Sequence, residues 1–174
     1  MTRRTSGNLL VGDSSQLGVL ATGTRYRFAD WPSPDIPRVA AGVYTVWLSD
    51  GRLLYVGMSG RGLRLDVDDG QRRGLWTRLN SHASGRRSGD QFCAYVCDRL
   101  VIPHLTRGQQ QEIGAGTLSL DALTRDYIRE HFAYRFVVTS DGAEALELER
   151  EVKRGALEVG QPLLNPLASA ATAG

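Results

Sequence analysis

The sequence predicts an α+β domain: a small mixed or antiparallel β-sheet that contains a β-hairpin and is flanked by helices. Three observations carry this. GVYTVWLSDGRLLYVG, residues 42–57, alternates apolar residues around Asp50-Gly51, a tight-turn pair that accepts positive φ. LSLDALTRDYIREHF, residues 118–132, places Leu120, Leu123 and Tyr127 on one helical stripe. AYRFVVTS, residues 133–140, reads as a further strand leading into a helix from about Gly142 to Gly155.

The remaining elements follow in chain order. Residues 1–38 read as an N-terminal arm: Arg3 and Arg4, a Gly/Ser-rich stretch, then FADWPSPDIPR, with Trp31 as its anchor. The domain proper spans 39–167. With Asp50 and Gly51 as central turn residues, Leu48 faces Leu53, Val46 faces Tyr55 and Tyr44 faces Gly57. Side chains alternate along a strand, so these six share one side and the two phenols are diagonal neighbours. Gly57 leaves a gap opposite Tyr44. A Gly- and Arg-rich loop follows, then a helix in LWTRLNSHASG ended by Gly85. QFCAYVCDR alternates and predicts a strand at Phe92–Cys97, with Cys93 and Cys97 as small buried hydrophobes of a reducing compartment. QPLLNP closes the fold, and residues 168–174 form a small-residue tail that is expected to be disordered.

A chain of 174 residues is long enough for one domain with its own core. The net charge of +2 does not by itself call for a polyanionic partner. Its distribution is more telling: Arg61, Arg64, Arg72, Arg73, Arg78, Arg86 and Arg87 cluster within one segment. Arginine suits bidentate phosphate contacts, although such a run also makes an ordinary solvated surface. No stretch approaches the apolar length of a membrane span, and a cytoplasmic location is expected. DVDDG lacks the acidic spacing of a calcium loop, and GMSGRG lacks the Lys-Ser/Thr of a phosphate-binding loop.

Two helices carry residues with chemical potential. Arg78 and His82, four apart, project from one helical face, as an exposed pair on an amphipathic helix also would. In the last helix Ala145, Leu148, Val152 and Ala156 form an apolar arc, and Glu149 falls inside it. A carboxylate pointing at the core needs a metal, a hydrogen-bond set or a cation, the plainest case being an ion pair with an arginine.

Gly42-Val43-Tyr44, Tyr55-Val56-Gly57, Arg78 with His82, Glu149 and Asn165 stand in an order that resembles the GIY-YIG nuclease superfamily. The match spans about residues 41–166. Val replaces Ile in both tripeptides, and the long loop after Gly57 makes Arg64 a rival to Arg78, which Arg-Leu-x-x-His favours.

The resemblance implies a metal-dependent endonuclease that hydrolyses phosphodiester bonds in DNA with Mg²⁺ or Mn²⁺, a single ion held by Glu149. It makes Tyr44 the acceptor of a proton from water, with His82 as its helper, and Arg78 the stabiliser of phosphoryl charge. Tyr55 would orient water or phosphate, and Asn165 would pin the site or bond the phosphate. Arg61, Arg64, Arg72, Arg73, Arg86 and Arg87 would bind the nucleic acid. The alternatives are a non-catalytic nucleic-acid-binding module of the same fold, and a nuclease for RNA or for single-stranded or branched substrates. A homodimer is compatible with either.

Overall fold

The computed structural model describes residues 14–61 and 74–165. Arg64, Arg72, Arg73, the DVDDG segment and the C-terminal tail lie outside these residues. The architecture is α+β. Four antiparallel strands, β1 (Tyr26–Arg27), β2 (Gly42–Leu48), β3 (Leu53–Ser59) and β4 (Phe132–Val138), run in the order β1-β4-β2-β3. β3 is therefore an edge strand.

Both faces of the sheet are covered by helices. On one face Tyr44, Val46, Leu54 and Tyr55 pack with Leu75 and Leu79 of α2 (Leu75–Ser84), Phe92 and Cys93 of α3 (Gln91–Val96), and Ile128 of α5 (Leu120–His131). On the other, Val43, Trp47, Val56 and Val137 pack with Leu20 of α1 (Ser14–Thr22) and Ala145, Leu148 and Val152 of α6 (Gly142–Lys153). Because each face is buried, β2 is apolar at both parities rather than alternating.

Residues 14–38 are built into this body. Leu20 is fully buried, and its carbonyl accepts from Thr45 Oγ1 at 3.0 Å. Trp31 anchors the segment as expected: its Nε1 donates to Asn80 Oδ1 at 3.0 Å, and its ring lies against Trp76 and Tyr134. Gly85 ends α2 with φ of +70°, as its position in the sequence predicts. An additional helix, α4 (Arg107–Gly114), starts in a capping box between Thr106 and Gln109.

Two expectations are corrected. Residues 92–96 lie in helix α3, and Cys97 opens a widened turn through Val101, rather than forming a strand. Residues 92–97 are apolar throughout and so compatible with helix or strand, whereas the buried positions 92, 93, 96, 97 and 101 follow a helical period. Asp90 decides between them by capping α3, its carboxylate accepting from Cys93 N at 3.2 Å. Both cysteines are buried and free.

The hairpin register holds at Tyr44–Gly57 and Val46–Tyr55 but shifts after Val46, so that Trp47, not Leu48, faces Leu53. The turn is longer than two residues. Gly51, at φ +88°, donates to Leu48 O, and Leu48 N is bonded to Arg52 O. The resulting bulge lets both Leu54 and Tyr55 join one core while Leu53 joins the other.

Candidate active site

The edge position of β3 creates the site. Beside it lies an open cleft of about 730 Å³, lined by residues of β3, of α2 and of α6, which pack on opposite faces of the sheet. Tyr55, Gly57, Arg61, Arg78 and Glu149 all contribute to its walls. Four of the residues singled out in the sequence (Tyr55, Arg61, Arg78 and Glu149) are thus brought together.

Tyr44 and His82 sit directly beneath. The two phenols share one face of the sheet, as strand parity predicts, with ring centroids 6.4 Å apart. The gap expected at Gly57 is filled by Tyr44 itself: a Cβ on Gly57 would collide with the Tyr44 hydroxyl and come within 2.6 Å of its Cζ. Tyr44 Oη lies 2.6 Å from His82 Nε2, and His82 Nδ1 lies 2.7 Å from Asp90 Oδ2. Tyr44 and His82 have no exposed surface, and Asp90 has 2%. The Tyr44 and Tyr55 rings, in edge-type contacts, and the tilted Phe92 ring surround the imidazole.

The protonation pattern follows from this geometry. Burial holds the His82 pKa below its ordinary value, against the raising effect of Asp90. Burial would also raise Asp90, but the hydrogen bond and charge of His82, the Ser81 hydroxyl and the Cys93 N–H together hold it at about 2. A neutral imidazole between a carboxylate and a phenol takes one tautomer. Nδ1–H donates to Asp90, and Nε2 accepts the Tyr44 proton. Tyr44 is held well above 10 by burial and by Tyr55, with Arg78 pulling the other way. Tyr55 is pushed up to about 12 by burial, again opposed by Arg78. Both phenols are therefore protonated at neutral pH.

Glu149 is 8% exposed, as its place on the apolar arc predicts. Among the described residues its ion-pair partner is Lys153, whose Nζ lies 3.1 Å from Oε1 one helical turn on, and not an arginine. Among the described residues it is the only carboxylate on the cleft wall, which suits a hard cation that keeps waters and borrows phosphate oxygens. His82, Asp90 and Cys93 also bring three ligand-type atoms within 4.8 Å of one another. Both ring nitrogens of His82 are committed there, and burial raises Cys93 so that it remains a thiol. These three form a hydrogen-bonded cluster.

Asn165 does not face the cleft as a free amide. Its Oδ1 accepts from Val56 N at 2.8 Å, and its Nδ2 donates to Val56 O at 2.9 Å. It extends the β3 edge the way a strand would, continuing the backbone bonds of Leu163 and Leu164 to Leu53 and Leu54. These bonds tie the chain end to β3 beside the cleft. Arg87 pairs with Asp121 at 2.7 Å on α5, and Arg86 is exposed in the same loop.

The residue that sequence reasoning missed is Asp90. Its signal was Gly-Asp ahead of a helix start, obscured by reading 92–97 as a strand. Comparison with family models, with curated proteins and with solved structures finds no match to this chain.

Proposed function

We propose that the protein is a metal-dependent endonuclease of the GIY-YIG type that hydrolyses phosphodiester bonds, with DNA as substrate. The observation that supports it best is the meeting of three elements at one cleft. These are a nearly buried carboxylate and an arginine on its wall, and, packed behind the wall, a buried phenol backed by a histidine–aspartate pair.

Glu149 would hold a single Mg²⁺ or Mn²⁺, which when bound would polarise the scissile phosphate and stabilise the leaving oxygen. Arg78, on the cleft wall, neutralises charge that builds on the phosphoryl oxygens. Tyr44 cannot serve as a free phenolate, because burial holds its proton on. Fully buried here, it would accept a proton only from a water that bound substrate brings against its hydroxyl, and only as it passes its own to His82 Nε2. Asp90 keeps that nitrogen free by fixing the tautomer and then stabilises the imidazolium, as the carboxylate of a hydrolase triad does. Tyr55, protonated, donates to water or phosphate. Arg61 draws the backbone of the nucleic acid toward the cleft.

The Glu149–Lys153 pair favours a second reading, a binding module that needs no ion. One experiment separates the two. Supercoiled plasmid, single-stranded DNA and RNA are each incubated with the purified protein in Mg²⁺ or EDTA. Cleavage that requires the ion and disappears in Glu149→Gln supports the nuclease. Salt-sensitive binding with intact substrate in both conditions would replace it with the module.

A further inference from the structure

The Glu149–Lys153 contact stands where the proposed ion would bind, and the chemistry of that overlap can be followed. Glu149 is nearly buried, so its charge requires a cation to offset desolvation. Without an ion, the Lys153 ammonium supplies that charge at 3.1 Å from Oε1. Lys153 is 37% exposed and itself lines the cleft, so its long stem can leave the carboxylate without leaving the site. Among the described residues it is the ion-pair partner of Glu149; Arg150 is engaged with Glu147 and Arg78 with the tyrosines.

We infer that Lys153 is a built-in competitor for the metal position: it occupies Glu149 when the ion is absent, and when the ion enters it is displaced onto a phosphate of the substrate. The inference rests on the reading of Glu149 as the metal ligand. An ion taking Oε1 meets the Lys153 ammonium at the same oxygen, and their repulsion at close range favours displacement of the ammonium. The nearest place with opposite charge is then the nucleic-acid backbone in the same cleft, where a lysine acts as a point charge. Metal binding and substrate binding therefore become cooperative. Phosphate draws Lys153 away from Glu149, and that vacates the ligand for the ion.

The test is calorimetric titration of Mn²⁺ into the full chain without nucleic acid, for wild type, Lys153→Met, Lys153→Arg and Glu149→Gln. Removing a competing partly exposed pair should tighten Mn²⁺ binding in Lys153→Met by about two- to fivefold. Lys153→Arg, which keeps the competitor, should stay near wild type, and Glu149→Gln should lose binding. A short duplex added in excess should tighten Mn²⁺ binding to wild type more than to Lys153→Met. Equal Mn²⁺ affinity in wild type and Lys153→Met, with Glu149→Gln silent, would overturn the role of Lys153 and leave the metal ligand standing. Unchanged binding in Glu149→Gln would overturn the metal assignment itself. Because Lys153 is at the surface end of α6, melting curves of its variants in EDTA serve to verify that each is folded.

Discussion

The hydroxyl of Tyr44 and Nε2 of His82 are 2.6 Å apart in a site that water does not reach from either residue's own surface. A β-strand and a helix are joined by this one bond, and Asp90, at the start of the next helix, completes it from the other side of the ring. Structure and chemistry are coupled there, because each partner is also a buried polar group that would be costly alone.

Substitution of Tyr44 by Phe therefore has two consequences. It should lower cleavage by about 10² or more, the scale of general acid–base catalysis. It should also cost about 1–3 kcal/mol of stability, since Nε2 is left without a donor in the core. Tyr55→Phe should affect rate less and stability little, as Tyr55 is the member that faces the cleft. Gly57→Ala should resemble Tyr44→Phe in rate although it removes no polar atom, because the added methyl displaces the phenol. Melting and single-turnover cleavage of the three variants check this. Full activity in Gly57→Ala would disconnect Tyr44 from the reaction.

The pH dependence follows from the direction of each shift. His82 has a folded pKa below its unfolded value of about 6.5. Its contribution to stability is complete above that pH and is lost as the pH falls through the lowered folded value. Asp90, at about 2 against 3.8 unfolded, contributes above pH 3.8 and loses this only as pH falls through about 2. Acidification from pH 7 to 5 should thus lower the melting temperature and the cleavage rate through His82 alone of the pair. His82→Gln should flatten both profiles in that range, and a wild-type slope in this variant would assign the titration elsewhere.

Asn165→Ala removes two hydrogen bonds to Val56 and leaves its buried amide and carbonyl unpaired. The expected loss is about 2–4 kcal/mol in urea unfolding. Turnover of the fraction that remains folded should stay near wild type. A large loss of turnover without loss of stability would return Asn165 to the phosphate.

The arginines divide by their partners. Arg61 and Arg78 line the cleft, whereas Arg87 is bound to Asp121. Arg78→Ala should reduce turnover by about 10² at saturating substrate. Arg61→Ala should weaken binding and reduce its salt slope by about one. Replacing Arg87 should change the slope less, because its charge is already balanced. Fluorescence anisotropy across a salt series measures the difference.

The α+β class, the hairpin and the helices α2, α5 and α6 were legible in the sequence, because each is encoded by short-range signals: a turn pair, a period, a terminal glycine. The same local signals placed Tyr44 and Tyr55 on one face and turned Glu149 inward, since strand and helix parity need no knowledge of the partner elements. What they could not determine is which groups meet across the core. The 92–97 segment is apolar at every position, so its own residues do not choose a period, and its packing against the sheet and the cap from Asp90 select the helix. The choice of Val56 for Asn165 and of Asp90 for His82 was likewise settled by tertiary structure, whereas Lys153 meets Glu149 one turn along the same helix. A buried charge or amide demands a partner, but its own sequence neighbourhood carries the demand and not the address.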